Sequence, residues 1–465
     1  MSTGSHGAPQ RQLSVWHAIS VCVGMVIGAG IFSTTPAAAA NVSSSAVLMW
    51  TWSFGGVLSL AGALCYAEMA AAFPDAGGDY NFLYQAYGAR VGFLFAWSRF
   101  AVIHTGSMAM LAFVFGDYLG QVVHLGPSGS ALFAALIVIV LVALNLAGLR
   151  FGINTQVALM TIVLLGLASV GAAGLWLSFQ GVAPATVAPA AVAPAAVAAM
   201  AGSATLAPVT HWGTALVFVF LAYGGWSDAA TLSAEMRDGD HGIKRALLLG
   251  MGTVTALYLL VNWALLRGLG LAGLAATDAP AADLMLRAFG RPGQLLIVTV
   301  VAITSITVMN ALLIAGARTT YAAARDTVTL RSLGRWHVVR GTPPAAILAI
   351  GAVALMLVGF GAYTRHGFTT MVDYLSPVYW FFLTLSGGAY FILRHRHSQV
   401  RRPFRAPWYP WLPLGFTASS AFVFYSSVAH VKVGAVTGVV VMLLGVLLLL
   451  PLRFAPRPGV GDSLR

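Results

Sequence analysis

Gly24-Met25-Val26-Ile27-Gly28-Ala29-Gly30-Ile31-Phe32 lies in the middle of an apolar stretch that runs from residue 14 to residue 36. A helix needs about 20 apolar residues to cross the hydrocarbon of a bilayer, and this stretch has them. Yet two glycines flank one alanine at mid-depth, and a glycine inside a helix costs about 1 kcal/mol relative to alanine. The irregularity returns at comparable depth in a second apolar stretch, 212–236, as Ala222-Tyr223-Gly224-Gly225-Trp226-Ser227. Taken alone, Gly24 and Gly28 read as close helix packing through small residues four apart. The recurrence predicts instead that both helices are broken. Unwound backbone cannot face lipid, where each unpaired group costs several kcal/mol, so the breaks line a cavity or meet a ligand.

Working outward, the 465 residues are 59% apolar and only 8% charged. Ordinary soluble domains carry roughly a quarter charged residues, and disordered chains are poor in apolar ones, so both classes are excluded. Twelve windows are long and apolar enough to span: 14–36, 45–73, 92–123, 130–149, 154–179, 212–236, 244–267, 293–324, 344–363, 368–393, 411–428 and 433–452. The first exceeds the 7 to 15 apolar residues of a signal core and is expected to be retained. Residues 182–197 are also apolar but repeat Val-Ala-Pro-Ala-x, and proline at that density reads as an extended linker.

The formal charge of +12 raises the question of a nucleic-acid partner. With twelve spans and an inside N-terminus, Arg267, Arg287, Arg291, Arg365 and Lys432 fall outside and Arg99 near the inner start of span 3, while every other Lys and Arg falls inside. The positive-inside rule is obeyed, so the charge is a topology signal and nucleic acid is not needed to explain it. Both termini are expected in the cytoplasm, the protein in the inner or cytoplasmic membrane, and the bilayer itself as a partner. Cys22 and Cys65 sit in apolar runs and build neither a disulfide framework nor a metal cluster.

The two breaks are five spans apart. An odd offset brings the second unit into the membrane from the opposite side, the inverted-repeat arrangement of many secondary transporters. The expected organisation is therefore a tail at 1–13, a first repeat at 14–179, an external linker at 180–211, a second repeat at 212–394, two further spans at 395–453, and a tail at 454–465. Free amides at Gly28, Ala29 and Gly30, at the start of a half-helix, favour an anion such as a carboxylate. Carbonyls released near Leu221, Ala222 and Gly224 accept from an ammonium group. One anionic and one cationic point close together fit a zwitterionic amino acid.

At these residues the chain resembles the amino acid, polyamine and organocation transporter superfamily, and within it the L-type amino acid transporters and their bacterial relatives. The resemblance rests on Val26 to Phe32, on Tyr66-Ala67-Glu68 leading to Phe73-Pro74-Asp75-Ala76-Gly77-Gly78-Asp79-Tyr80, on Ala222 to Trp226, and on Ala317-Arg318 through Ala324-Arg325-Asp326. It implies an all-α polytopic protein with the leucine-transporter type of fold, spans 1 to 5 and 6 to 10 as inverted repeats, and alternating access for uptake or exchange. Carried over, the substrate carboxylate meets the amides of Ala29 and Gly30 beside Val26, and the amine meets carbonyls of Val26 or Ile27 and of Leu221, Ala222 and Gly224, with Tyr223 and Trp226 in the same segment. Leu221 stands where L-type members usually carry a gating phenylalanine. Val163 stands in the region where some relatives place a lysine, and Gly316 with Ala317 replace a hydroxyl pair that helps to hold sodium. The loop 116–129 lacks the cysteine that links some animal members to an accessory subunit, so no disulfide-linked partner is expected.

Ionisable groups at membrane depth are expensive and face a cavity or a partner. Glu68 either carries a proton or pairs with the cytoplasmic loop after span 2. His104 is either a relay or substrate contact, or makes an interhelical hydrogen bond. Asp228 and Glu235, seven apart on the inner half of span 6, read as a cytoplasmic gate, and Asp373 is a further candidate. Thr304, Thr307 and Asn310 form a polar seam on span 8 that reads as interhelical glue. Trp408, Tyr409 and Trp411 read as interfacial aromatics and the 394–405 basic cluster, with His395 and His397, as inner-face anchoring. No cofactor or metal is implied. The alternatives are a polyamine or organic-amine permease of the same superfamily; an intramembrane enzyme, for which no nucleophile and base converge; and a channel, for which no filter sequence is present.

Overall fold

The computed structural model describes residues 23, 26–73, 78–148, 153–181, 211–227, 239–325, 343–429 and 433–449. Within them the regular elements are all helical: α1 (Gly30–Ala39), α2 (Ser45–Ala72), α3 (Asp79–Tyr87), α4 (Ala89–Ser98), which continues through a π-helical turn (Arg99–His104) into α5 (Thr105–Gly120), α6 (Gly129–Leu146) and α7 (Ile153–Phe179). There follow α8 (Trp212–Ala222), α9 (Gly239–Ala275), α10 (Pro280–Arg325), α11 (Pro344–Thr364), α12 (Gly367–Arg396), α13 (Trp411–Ala429) and α14 (Val433–Leu449).

Among the described residues nine helices are long and apolar enough to cross a membrane, and the chain is a polytopic membrane protein. They correspond to the windows numbered 2 to 5 and 7 to 11. In the other three windows the described residues form short helices: 10 residues in α1, 11 in α8 and 17 in α14. The Val-Ala-Pro-Ala repeats and most of the first window before Val26 lie outside the described residues.

Local chemistry sets several boundaries. Ser44 caps α2, its Oγ accepting from the Val47 amide at 3.2 Å. Proline at the first turn of α11 occupies a place where its missing N–H is not needed. Between windows 7 and 8 the chain is more helical than the sequence suggests: α9 runs on to Ala275 and α10 begins at Pro280. Gly270 (φ 69) and Gly290 (φ 66) supply left-handed bends there, which glycine adopts without steric cost, and the helices resume on either side. The short α3 in the connection after window 2 was also not anticipated.

Packing sorts the helices into two groups. The helices α1, α2, α8 and α9 pack on one another, as do α5, α6, α10 and α11; α7 lies against α9 and α10, and α12 lies against α5, α13 and α14. In lipid, helices associate through close packing because the solvent is as apolar as their side chains. Accordingly a Cβ on Gly55 of α2 would fall 2.5 Å from Val219 Cγ1 of α8.

Candidate functional site

The first break lies where the glycines place it. Val26 is helical and its neighbours Ile27 and Gly28 are not; Ala29 turns, and α1 begins at Gly30 with no side-chain cap on its end. Since the first amides of a helix have no carbonyl one turn back, this end offers N–H donors to whatever stands before it. Ala29 and Ile31 are fully buried, whereas Gly28 and Gly30 between and beside them are half-buried. A Cβ on Gly30 would meet nothing within 4 Å, and one on Gly28 would make only ordinary contact with Val308 of α10 at 3.8 Å. Open space therefore borders the start of α1.

The second break follows Ala222. The Tyr223 amide still bonds back to the Val219 carbonyl at 3.1 Å, the Gly224 amide bonds to the Leu221 carbonyl at 3.1 Å, and Gly225 takes φ 93. The helix resumes at Trp226. Gly224 faces α12, where the nearest side-chain atom to its absent Cβ is the Tyr379 hydroxyl at 4.0 Å. The side chains of Tyr223 and Trp226 turn the other way. Tyr223 is fully buried and donates to the Trp52 carbonyl of α2 at 3.0 Å. Trp226 stacks edge-on against Tyr66 and Phe416, with centroids at 5.2 and 5.7 Å. These two rings brace the break from behind, and what they leave at the site is backbone.

One side chain joins the breaks. The Tyr258 hydroxyl, fully buried on α9, lies 3.1 Å from the Val26 carbonyl and 3.1 Å from the Ala222 carbonyl. A phenol has one proton to donate, so it serves one carbonyl at a time and leaves the other able to accept elsewhere. Sequence reasoning missed Tyr258 because it searched the spans for ionisable groups. A lone tyrosine at mid-membrane, whose hydroxyl must find a partner, was the available signal.

The charged candidates lie elsewhere. Glu68, 2% exposed near the end of α2, accepts from the Tyr390 hydroxyl at 2.5 Å, Arg394 at 3.1 Å and the Ala406 amide at 2.7 Å, all at Oε2. Its Oε1 faces Arg402 Nε at 3.4 Å. Among the described residues it thus pairs with the end of α12 and the chain after it; residues 74–77 of the loop after α2 lie outside the described residues. His104 Nε2 accepts from Arg99 Nε at 3.0 Å, across the π-helical turn. The bond stays within its own helix, where an interhelical one was expected. Because arginine only donates, this bond keeps the imidazole neutral, and Nδ1 has no hydrogen-bond partner. A Cβ on Gly316 of α10 would fall 2.9 Å from that Nδ1, so a hydroxyl-bearing residue there would displace His104. Asp228 and Glu235 lie outside the described residues. Asp373 packs against Gly434 of α14.

The polar seam on α10 divides. Asn310 does join helices, accepting from Asn145 of α6 at 2.7 Å. Thr304 and Thr307 instead donate to carbonyls of their own helix, Val300 and Ile303, at 2.7 and 2.8 Å. Among the described residues no group of three or more His, Cys, Asp or Glu is placed to hold a metal ion.

Residues 13–451 match the family model described as amino acid permease. Similar proteins include the serine/threonine exchanger SteT of Bacillus subtilis, 27% identical over 92% of this chain and 93% of that protein. The human b(0,+)-type amino acid transporter 1 is 26% identical over 89% of this chain and 82% of its own length. The mouse large neutral amino acids transporter small subunit 2 is 26% identical over 96% and 82%.

Proposed function

Starting from the fact that the chain belongs to the amino acid permease family, and so transports amino acids across a membrane and is not an enzyme, we propose that the substrate binds between the two helix breaks. Its carboxylate meets the amides of Ala29 and Gly30, where the dipole of α1 favours an anion. Its ammonium group meets the backbone carbonyls around Ile27 and Gly224 and whichever of Val26 and Ala222 Tyr258 leaves unserved. The observation that carries this reading is the single Tyr258 hydroxyl shared by the two breaks. The side chains nearest to Gly28 and Gly224 are Val308 and Tyr379, both uncharged at neutral pH, which fits a neutral amino acid. The names of the bacterial and murine relatives, an exchanger of serine and threonine and a transporter of large neutral amino acids, agree with it.

The reading extends to architecture and cycle. Twelve spans arranged as a 5+5 inverted repeat account for the packing, since windows 1 and 2 group with 6 and 7 just as 3 and 4 group with 8 and 9. Rocking of the first group against the second opens the site to each side in turn, with both termini in the cytoplasm as the arginine distribution requires. Exchange, the mode named for the bacterial relative, is the favoured cycle. The test is reconstitution in liposomes with a panel of labelled amino acids, with and without a preloaded internal amino acid, under proton and sodium gradients. Uptake of neutral amino acids that rises on preloading supports the proposal; equal uptake with and without preloading rules out obligatory exchange, and selective movement of charged amino acids rules out the neutral site.

A further inference from the structure

Beyond the end of α12, residues 397–410 fold back onto the protein under the control of one carboxylate. Arg402 donates to the carbonyls of Leu393, His397 and Val400 at 3.1 to 3.2 Å while its Nε faces Glu68. The Ala406 amide bonds to the same Glu68, and Phe404 and Ala406 are buried. Two arginines of this segment are thereby excluded from the network. Arg401 and Arg405 are exposed, and among the described residues neither has a carboxylate within ion-pair distance. A few residues further along the chain come two rings that the fold leaves exposed: Trp408 is 79% exposed and Trp411 74%. Trp408 also has φ 54, a left-handed conformation that bulky residues avoid, so its outward placement is held against a local backbone preference. Arg394 lies over the Tyr409 ring at 3.8 Å, which engages the third aromatic with the protein and leaves it less exposed than the two tryptophans.

We propose that Arg401 and Arg405, with the rings of Trp408 and Trp411, form a binding site for the anionic headgroups of membrane phospholipids, held in shape by the Glu68 node. Two guanidinium groups with no carboxylate partner among the described residues lie between α12 and α13 at the membrane–water boundary, where indole rings settle at headgroup depth and basic side chains attract anionic lipid. Arginine suits this task because its planar fork matches phosphate oxygens.

The purified protein in detergent is titrated with dioleoylphosphatidylglycerol and, separately, with dioleoylphosphatidylcholine, and retained lipid is measured by native mass spectrometry. The anionic lipid is expected to be retained in preference, and the Arg401→Gln/Arg405→Gln pair to weaken its retention about 30-fold, each arginine contributing roughly fivefold near an anionic surface. Arg401→Lys/Arg405→Lys, which keeps the charge and loses the fork, should weaken retention less than the glutamine pair does, and Arg365→Gln, at the far end of α11, should leave it unchanged. Indifference of the wild type to headgroup charge, or full retention by the glutamine pair, overturns the proposal. Displacement of the lipid by millimolar inorganic phosphate, with matched chloride having no effect, also overturns it, assigning the site to a soluble anion.

Discussion

At the two helix breaks the polar groups are backbone, uncharged and incompletely matched; around Glu68 they are side chains, charged and matched several times over. Tyr258 supplies one proton to two carbonyls, and the start of α1 has no cap. Glu68 accepts from a hydroxyl, an amide and one guanidinium group at Oε2, and its Oε1, which takes no hydrogen bond, meets a second guanidinium as an ion pair. A backbone group short of partners has something to offer a ligand, and a carboxylate tied down by several charged and neutral donors has structure to offer. The contrast teaches that in this membrane protein the interrupted backbone, and not the charged residue, is what carries the proposed transport site.

The strongest attempt to break that contrast is Gly30→Val. Because a β-carbon at Gly30 enters open space, the variant should insert, fold and melt like the wild type yet lose all measurable uptake. Retained uptake in the liposome assay would detach the cavity from transport. Next is Glu68→Leu, which strands Arg394 and Arg402 and should cost about 3–5 kcal/mol of stability, as breaking one side of a buried ion pair does. Thermal unfolding in detergent would read that loss, while the KM of any surviving protein should stay within about twofold, since the deficit lies in folding and not in binding.

Tyr258→Phe comes third. Removing the shared hydroxyl leaves carbonyls underserved at about 1–3 kcal/mol, so substrate affinity should fall roughly 10-fold or more with a smaller change in melting temperature. A larger effect on stability than on affinity would move Tyr258 to the structural side of the comparison. The smallest effect is expected from Asn145→Leu/Asn310→Leu: either single change should destabilise by about 1–2 kcal/mol, and the pair by less than their sum because both partners leave together.

How much of this was legible in the sequence follows from the range of the forces involved. The breaks could be read because glycine acts on its own backbone, and the spans because hydropathy is a property of consecutive residues. The bend at Gly270 and the helical stretch after Pro280 were not, since an isolated glycine looks the same in a loop and in a helix. Tyr258 and the partners of Glu68 were missed for another reason: their bonds join residues far apart in the chain, and no local pattern records which hydroxyl or guanidinium will arrive. The interhelical bond weighed for His104 is replaced by one to Arg99 of its own span, because a π-helical turn, which no local pattern announces, lies between them.

That last point has a consequence for chain length. In a regular α-helix, residues five apart are rotated by about 140°, and Arg99 and His104 would point to different neighbours. The π-helical turn carries one residue more than an α-helical turn does, and this brings the guanidinium round to the imidazole. The surplus residue also sets the phase of everything after it, so α4 and α5 present faces about 100° out of step with a single continuous helix. Excising one residue from 99–104 would straighten the helix, part the arginine from the histidine, and turn one half of the span away from the helices it now meets. The span's length is thus quantised, and a deletion is tolerated there only if the neighbours of one half change with it.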